Sequence, residues 1–525
     1  MSDAWKLLLA LPLLMACGRD PLPGETPVRE DGLYHEMIRL GEKLDDPYTV
    51  ENIKTALSKV YPTKAGEIDI QATDLYVRFL PRDDAEYDDL TSRGLFLLDH
   101  PMDYRILREG DYYQDPSLDE DAITWQYAVV SRDFVFPESI QYEVLDECYI
   151  SENDPVTRAS SGIDWDAVEK ASYELTGNAD LWTDPTRADG ETGFPTGRIT
   201  LEDPDKDGGK PFGVAGVRVT CNSFVKYAHG VTDRDGYYTL DKKFSSKPRY
   251  RVEFRNEKGF SIGLNLILMP ASVSTLGEGG PAGIDCHVTQ ASDEKLFRRC
   301  VVNAAAYEYY SRCTETDMDI LPPPPGLRIW ILNSLDCSSA VMMHQGAVIS
   351  HTLISGYLGP YALLVKLFLP DITIGTKGRE KFDRIYSATM HELSHASHYV
   401  QVGNSYWNKY EEYVIQSYVL QGREAYGNGD GELAGYCEVG EMWGYFMQSV
   451  MEQDRYGGGL QSFGTSFWFY PQIFRYLYQR GTTRGEIFRA LKSDVTSRDD
   501  LQEELTALYP DRESLIHQVF DRYRR

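Results

Sequence analysis

The stretch Met390-His391-Glu392-Leu393-Ser394-His395-Ala396-Ser397-His398 places His391 and His395 four residues apart, with Glu392 between them. On an α-helix, positions four apart share a face. Two imidazoles so placed can grip one Zn2+ at about 2.0–2.1 Å each. Glu392 then lies beside the metal, where it can take a proton from the attacking water. The surroundings predict a helix. No Pro or Gly occurs between Phe382 and Val400. Phe382, Ile385, Thr389, Leu393, Ala396 and Val400 recur at helical spacing. They group on one side and the two histidines on the other, so one stripe is expected to be buried and the imidazoles to face a cleft. Gly403-Asn404 is the expected stop.

Two histidines do not complete a catalytic zinc site, which usually has three protein ligands and a water. His398 shares the histidine face but lies about 10.5 Å from His391 along a continuous helix, too far for one ion. It reads as a cleft-wall residue or a support for the ligands. The better source of a third ligand is Gly435-Tyr436-Cys437-Glu438-Val439-Gly440-Glu441-Met442-Trp443-Gly444-Tyr445-Phe446. Val439, Trp443, Phe446 and Val450 form an apolar stripe there. Glu441 lies opposite, with Glu438 one turn earlier, and both can face the metal helix.

His391, Glu392 and His395 followed by an acidic helix resemble the gluzincin superfamily of metallopeptidases, over residues 280–525. In that superfamily a small residue often follows the ligand Glu by three positions. Glu441 with Gly444 fits that pattern, and Glu438 with Glu441 does not. The resemblance implies one Zn2+ held by His391, His395 and Glu441, with Glu438 as the alternative ligand. The spared carboxylate would orient a ligand imidazole. The implied activity is hydrolysis of peptide bonds with Glu392 as general base. The alternative is a non-catalytic zinc-binding envelope lipoprotein that acts in binding or adhesion. The donor to the oxyanion stays open among Tyr436, Tyr445 and His398. An extended peptide substrate is expected to pair with the edge of a small sheet.

The N-terminus reads as an export signal. Lys6 precedes an apolar run over 7–15 that is too short to span a bilayer but suits a signal-peptide core. Leu14-Met15-Ala16-Cys17 resembles a bacterial lipobox, with Cys17 as the lipidated residue. Residues 18–31, rich in Pro, Gly and charge, read as a tether. The expected location is the bacterial cell envelope, at the outer membrane or cell surface, with the lipid anchor as the membrane contact. The net charge of −28 argues against nucleic-acid binding and against a basic membrane-surface patch. Seven further cysteines follow: Cys148, Cys221, Cys286, Cys300, Cys313, Cys337 and Cys437. An exported protein can form disulfides, but an odd number leaves at least one thiol free.

With 525 residues, the chain is expected to be a multidomain α+β protein of about two to four domains. Residues 32–192 read as a mixed α/β region, with helices over 32–44 and 49–60 and strands over 73–80 and 122–130. Residues 195–265 alternate as short strands over 197–201, 216–221, 232–240 and 250–254 with an Asp-Gly turn, as a small all-β sandwich does. Their order resembles the carboxypeptidase regulatory-like (transthyretin-like) domain, a module that usually supports or binds. Asp203-Pro204-Asp205-Lys206-Asp207-Gly208 looks like the start of a calcium loop. Val214 stands where an EF-hand needs Glu, so the segment reads as a turn. Residues 280–525 read as a mostly helical, zincin-like metallopeptidase domain with a small sheet.

Overall fold

The structure is a computed structural model. It describes residues 37–523 except 111, 120–121, 161, 184–192, 264–270, 317, 359–367, 421–425 and 465–466. Cys17, the signal segment and the tether lie outside the described residues. The chain is mixed α/β, with several sheets and a helical C-terminal region. Among the described residues, no helix is long and apolar enough to cross a membrane.

In the N-terminal region, Asp74–Leu80 is the centre of a three-stranded antiparallel sheet between Gln126–Ser131 and Gln141–Cys148. The helix expected after Thr49 is present as Val50–Val60, with the Thr49 hydroxyl capping the Asn52 N–H. The helix expected over 32–44 is not. Arg39–Lys43 is a strand, paired antiparallel with Tyr104–Arg108. Gly41 weakens helical propensity there, and a partner strand distant in sequence supplies the backbone hydrogen bonds.

The larger sheet runs in the order Ile372–Gly375, Arg328–Leu332, Ser261–Gly263, Arg249–Asn256, Val217–Ser223, Lys226–Val231, with Val273–Glu278 also paired to Arg249–Asn256. Arg328–Leu332 is parallel to both its neighbours. Strands from the 195–265 segment and from the region around the histidine helix are therefore joined in one sheet. Phe260 begins the return: after the turn at Gly259 (φ +90°), Ser261–Gly263 folds back beside Arg249–Asn256 and exposes its other edge to Arg328–Leu332. A single buried core continues from Ile199 and Val252 through Cys300 and Leu393 to Trp443 and Phe520.

The residues resembling a calcium loop form a turn whose leading carboxylate is already engaged. Asp203 Oδ2 accepts from Arg455 Nε at 2.9 Å and from the Tyr456 hydroxyl at 3.2 Å. The seven cysteines from Cys148 to Cys437 are all free thiols.

Candidate metal centre

The helix Phe382–Val402 carries the two histidines, and Gly403 ends it in the left-handed region (φ +76°). The helix is more deeply buried than a one-sided stripe would be. Tyr386, Met390, Ser394, Ser397 and His398 are buried along with the expected stripe from Phe382 to Ala396, whereas Val400, expected to belong to that stripe, is exposed near the helix end. It packs against Glu294–Arg312, Asn404–Leu420, Ala434–Tyr456 and the strand Ile372–Gly375. Its interior hydroxyls are satisfied within reach. Thr389 and Ser394 donate to the carbonyls one turn back, and Ser397 pairs with Tyr309. Trp443 donates its indole N–H to the Ser394 carbonyl at 3.1 Å, which fixes the crossing of the two helices beside the histidines.

His391, His395 and Glu441 converge there. His391 Nε2 lies 3.2 Å from Glu441 Oε2, His395 Nε2 lies 3.5 Å from Glu441 Oε1, and the two Nε2 atoms are 3.0 Å apart. Donors about 2.0–2.1 Å from one tetrahedral ion stand roughly 3.3 Å apart, so the spacing fits a metal ion. All three residues are buried, at 5 %, 1 % and 1 % exposure, and Glu441 Oε2 has no hydrogen-bond partner. A buried carboxylate oxygen beside two imidazole nitrogens suits a cation that completes it. The group can hold a metal ion.

Packing and one hydroxyl aim these ligands. The His391 ring stands 4.6 Å from the Tyr445 ring, and His395 lies against Trp407 and Tyr410. Both Nδ1 atoms lack protein partners, so the rings are oriented by these aromatic walls. Tyr410 donates to Glu441 Oε1 at 2.6 Å and lies 3.2 Å from His395 Nε2. Burial raises the pKa of Glu441, but the imidazoles of His395 and His391 outweigh it and hold the carboxyl well below its ordinary range. Glu392 is buried without such partners. Desolvation first, then Glu441 and Glu411, push its pKa well up. Arg379 opposes the shift.

A cleft of about 320 Å³ opens onto His391 and Glu392. Cys337, Ser338, Arg379, Tyr426 and Tyr445 form part of its wall. The Tyr426 and Tyr445 hydroxyls are 3.0 Å apart. Glu438, the alternative ligand, does not join the site. It faces Arg498 of the C-terminal region, 3.6 Å away. His398 is not part of the cleft wall. It sits between Tyr406 and Trp407 in the aromatic core, where burial pushes its pKa down to about 3. Tyr436 accepts from Lys409 and packs on Tyr406, so of the three open oxyanion donors only Tyr445 lines the cleft.

Tyr410, Tyr426, Arg379 and Glu411 were not picked out as site residues from the sequence. Glu411 is fully buried, accepts from Ser339 and has its pKa pushed up to about 8, chiefly by burial. Tyr406, Trp407 and Tyr410 recur at helical spacing and so read as core. Only the position of the neighbouring helix turns Tyr410 toward Glu441. Compared with family models, curated proteins and solved structures, the chain matches none.

Proposed function

We propose that this chain is a zinc-dependent peptidase, anchored to a bacterial cell envelope through Cys17. The observation that carries the reading is the buried convergence of His391, His395 and Glu441, with Glu392 on the wall of the adjoining cleft. Two imidazoles and one carboxylate suit a catalytic zinc with an open position. A bound zinc supplies Lewis acidity that polarises a carbonyl and lowers the pKa of water.

The rest falls to the chain's own residues. Glu392 takes the proton of the attacking water and passes it to the leaving amine. Tyr445, bonded to Tyr426, offers a hydroxyl donor to the oxyanion at the same wall. The sheet edge beside the helix is Ile372–Gly375. Its Thr373 is already bridged by Ser339, through hydrogen bonds of 3.0 and 2.8 Å. An extended substrate is therefore offered the Cys337-Ser338 segment rather than the strand itself.

The test is metal content and peptide hydrolysis on the full chain. About one zinc per chain is expected, kept in Glu438→Ala and lost in Glu441→Ala. Zinc-loaded Glu392→Gln should hydrolyse peptides about 10²–10⁴-fold more slowly. Zinc without cleavage of a broad peptide library would leave a non-catalytic binding lipoprotein. Wild-type protein that takes up no zinc would sink the reading.

A further inference from the structure

A second cavity, of about 200 Å³, shares no lining residue with the metal cleft. Its walls come from the N-terminal region, through Leu44, His100 and Arg105, and from the larger sheet, through Asn222, Arg249 and Arg251. In a chain of net charge −28, this lining holds four cations, Arg105, Lys247, Arg249 and Arg251, against one carboxylate, Glu278.

Two of the cations are already paired. Arg249 is bridged to Glu109 and, at 2.8 Å, to Glu278. Arg105 lies 3.4 Å from Glu42. Arg251 is different. It is buried, and among the described residues its charged head meets only neutral acceptors at hydrogen-bond distance. Nη1 donates to Asn222 Oδ1 at 2.5 Å and to the Arg249 carbonyl at 3.5 Å, and Nη2 donates to His100 Nε2 at 3.3 Å. His100 can accept there because its Nδ1 donates to Asp99 Oδ1 at 2.7 Å, which fixes the tautomer. The second Asp99 oxygen accepts from the Tyr113 backbone at 2.6 Å. Asp99 and His100 thus orient the guanidinium, yet no carboxylate lies within ion-pair distance of Arg251 among the described residues.

A guanidinium has five N–H donors in a rigid fork, and three hydrogen bonds leave two donors for a ligand. Burying such a charge without a counter-ion is costly. Lys247 is exposed at the cavity, and among the described residues its ammonium reaches the Asp180 carbonyl alone, at 3.1 Å.

We propose that this cavity is a binding site for a small oxyanion, a carboxylate or phosphate group seated against Arg251 with Lys247 beside it. The cavity's size suits one such group rather than a large ligand.

The experiment is thermal unfolding of the full chain with millimolar inorganic phosphate, and separately with succinate, each against sodium chloride of equal ionic strength. At least one anion is expected to raise the melting temperature above the chloride control. Phosphate alone would mark a phosphoryl site, succinate alone a carboxylate site, and both a general oxyanion site. Arg251→Gln should abolish the shift. Lys247→Ala, at an exposed position that leaves folding intact, should weaken binding about tenfold or more, as loss of a hydrogen bond from a charged group does. No shift beyond chloride with either anion would overturn the proposal. So would a full shift retained in Arg251→Gln. Should Arg251→Gln not fold, unchanged affinity in Lys247→Ala would overturn it in its place.

Discussion

A Cβ on Gly444 would stand 2.8 Å from His395 Nε2, and equally close to Cε1 of the His391 ring. The helix Ala434–Tyr456 passes over the imidazoles at this glycine, and that close approach brings Glu441, one turn earlier, onto both rings. Gly444→Ala is expected to fold but to bind metal more weakly, because the rings must shift away from the carboxylate. Metal content after dialysis against a graded chelator measures this. A variant that keeps its metal as tightly as wild type would separate the glycine from the site.

Tyr410 reaches Glu441 by passing beneath Gly440, where a Cβ would lie 2.8 Å from the tyrosine ring. Tyr410→Phe keeps the ring packed on Trp407, 4.5 Å away, and removes only the hydroxyl. Loss of such a support typically weakens metal binding about 10–100-fold. Competition with a chromophoric chelator should show that loss, with little change in the unfolding midpoint of the metal-free protein. Equal affinity would mean that packing alone holds Glu441.

The Asp203 turn is tied to Arg455, a buried guanidinium that also meets Glu308 at 3.0 Å. Removing one partner of a buried pair costs up to about 3–5 kcal/mol, and the remaining Glu308 contact lessens the loss. Asp203→Ala should therefore unfold at clearly lower denaturant than wild type. Calcium should leave the wild-type midpoint unmoved, since the carboxylate is already committed. A calcium-dependent rise would restore the cation-loop reading.

Asp46 gives the chain a pH-dependent weakness away from the metal. One carboxyl oxygen accepts from the Tyr48 N–H at 2.8 Å, and the other has no partner. Burial pushes its pKa up to about 8. The folded state thus holds the proton more tightly than the unfolded chain, whose Asp titrates at about 3.9. This group's contribution is fully present below that value and is lost as pH rises through the folded pKa. The slope from this group is at most about 1.4 kcal/mol per pH unit between roughly pH 4 and 8. Asp46→Asn keeps an acceptor for Tyr48 and removes the charge, so its stability should decline less over that range. Parallel curves for the two proteins in denaturant titrations would refute the assignment.

The helices that carry His391, His395 and Glu441 were legible because helical periodicity is local. Five apolar positions with Thr389, and an uninterrupted run over 382–400, marked the histidine helix, and Gly403 marked its end. The stripe of Val439, Trp443, Phe446 and Val450 set Glu441 and Glu438 toward the histidine helix, and only the resemblance to the gluzincins, through the small residue at 444, favoured Glu441. His398 does not reach the cleft wall, although it shares Trp407 with His395. Spacing shows which residues share a face, but not that the far end of that face meets Tyr406 and Trp407 rather than the cleft.

What the sequence determined by itself is therefore the pair of helices, the two imidazoles and two candidate carboxylates one turn apart, all properties of a few consecutive turns. Only the tertiary structure decided the rest: the strand at Arg39–Lys43, the sheet shared by residues 217–256 and 328–375, the hydroxyl of Tyr410 on Glu441, and Arg251 in its cavity with no carboxylate beside it among the described residues. Each depends on partners far apart in the chain. Such contacts form when distant surfaces are buried against one another, and no local period records them.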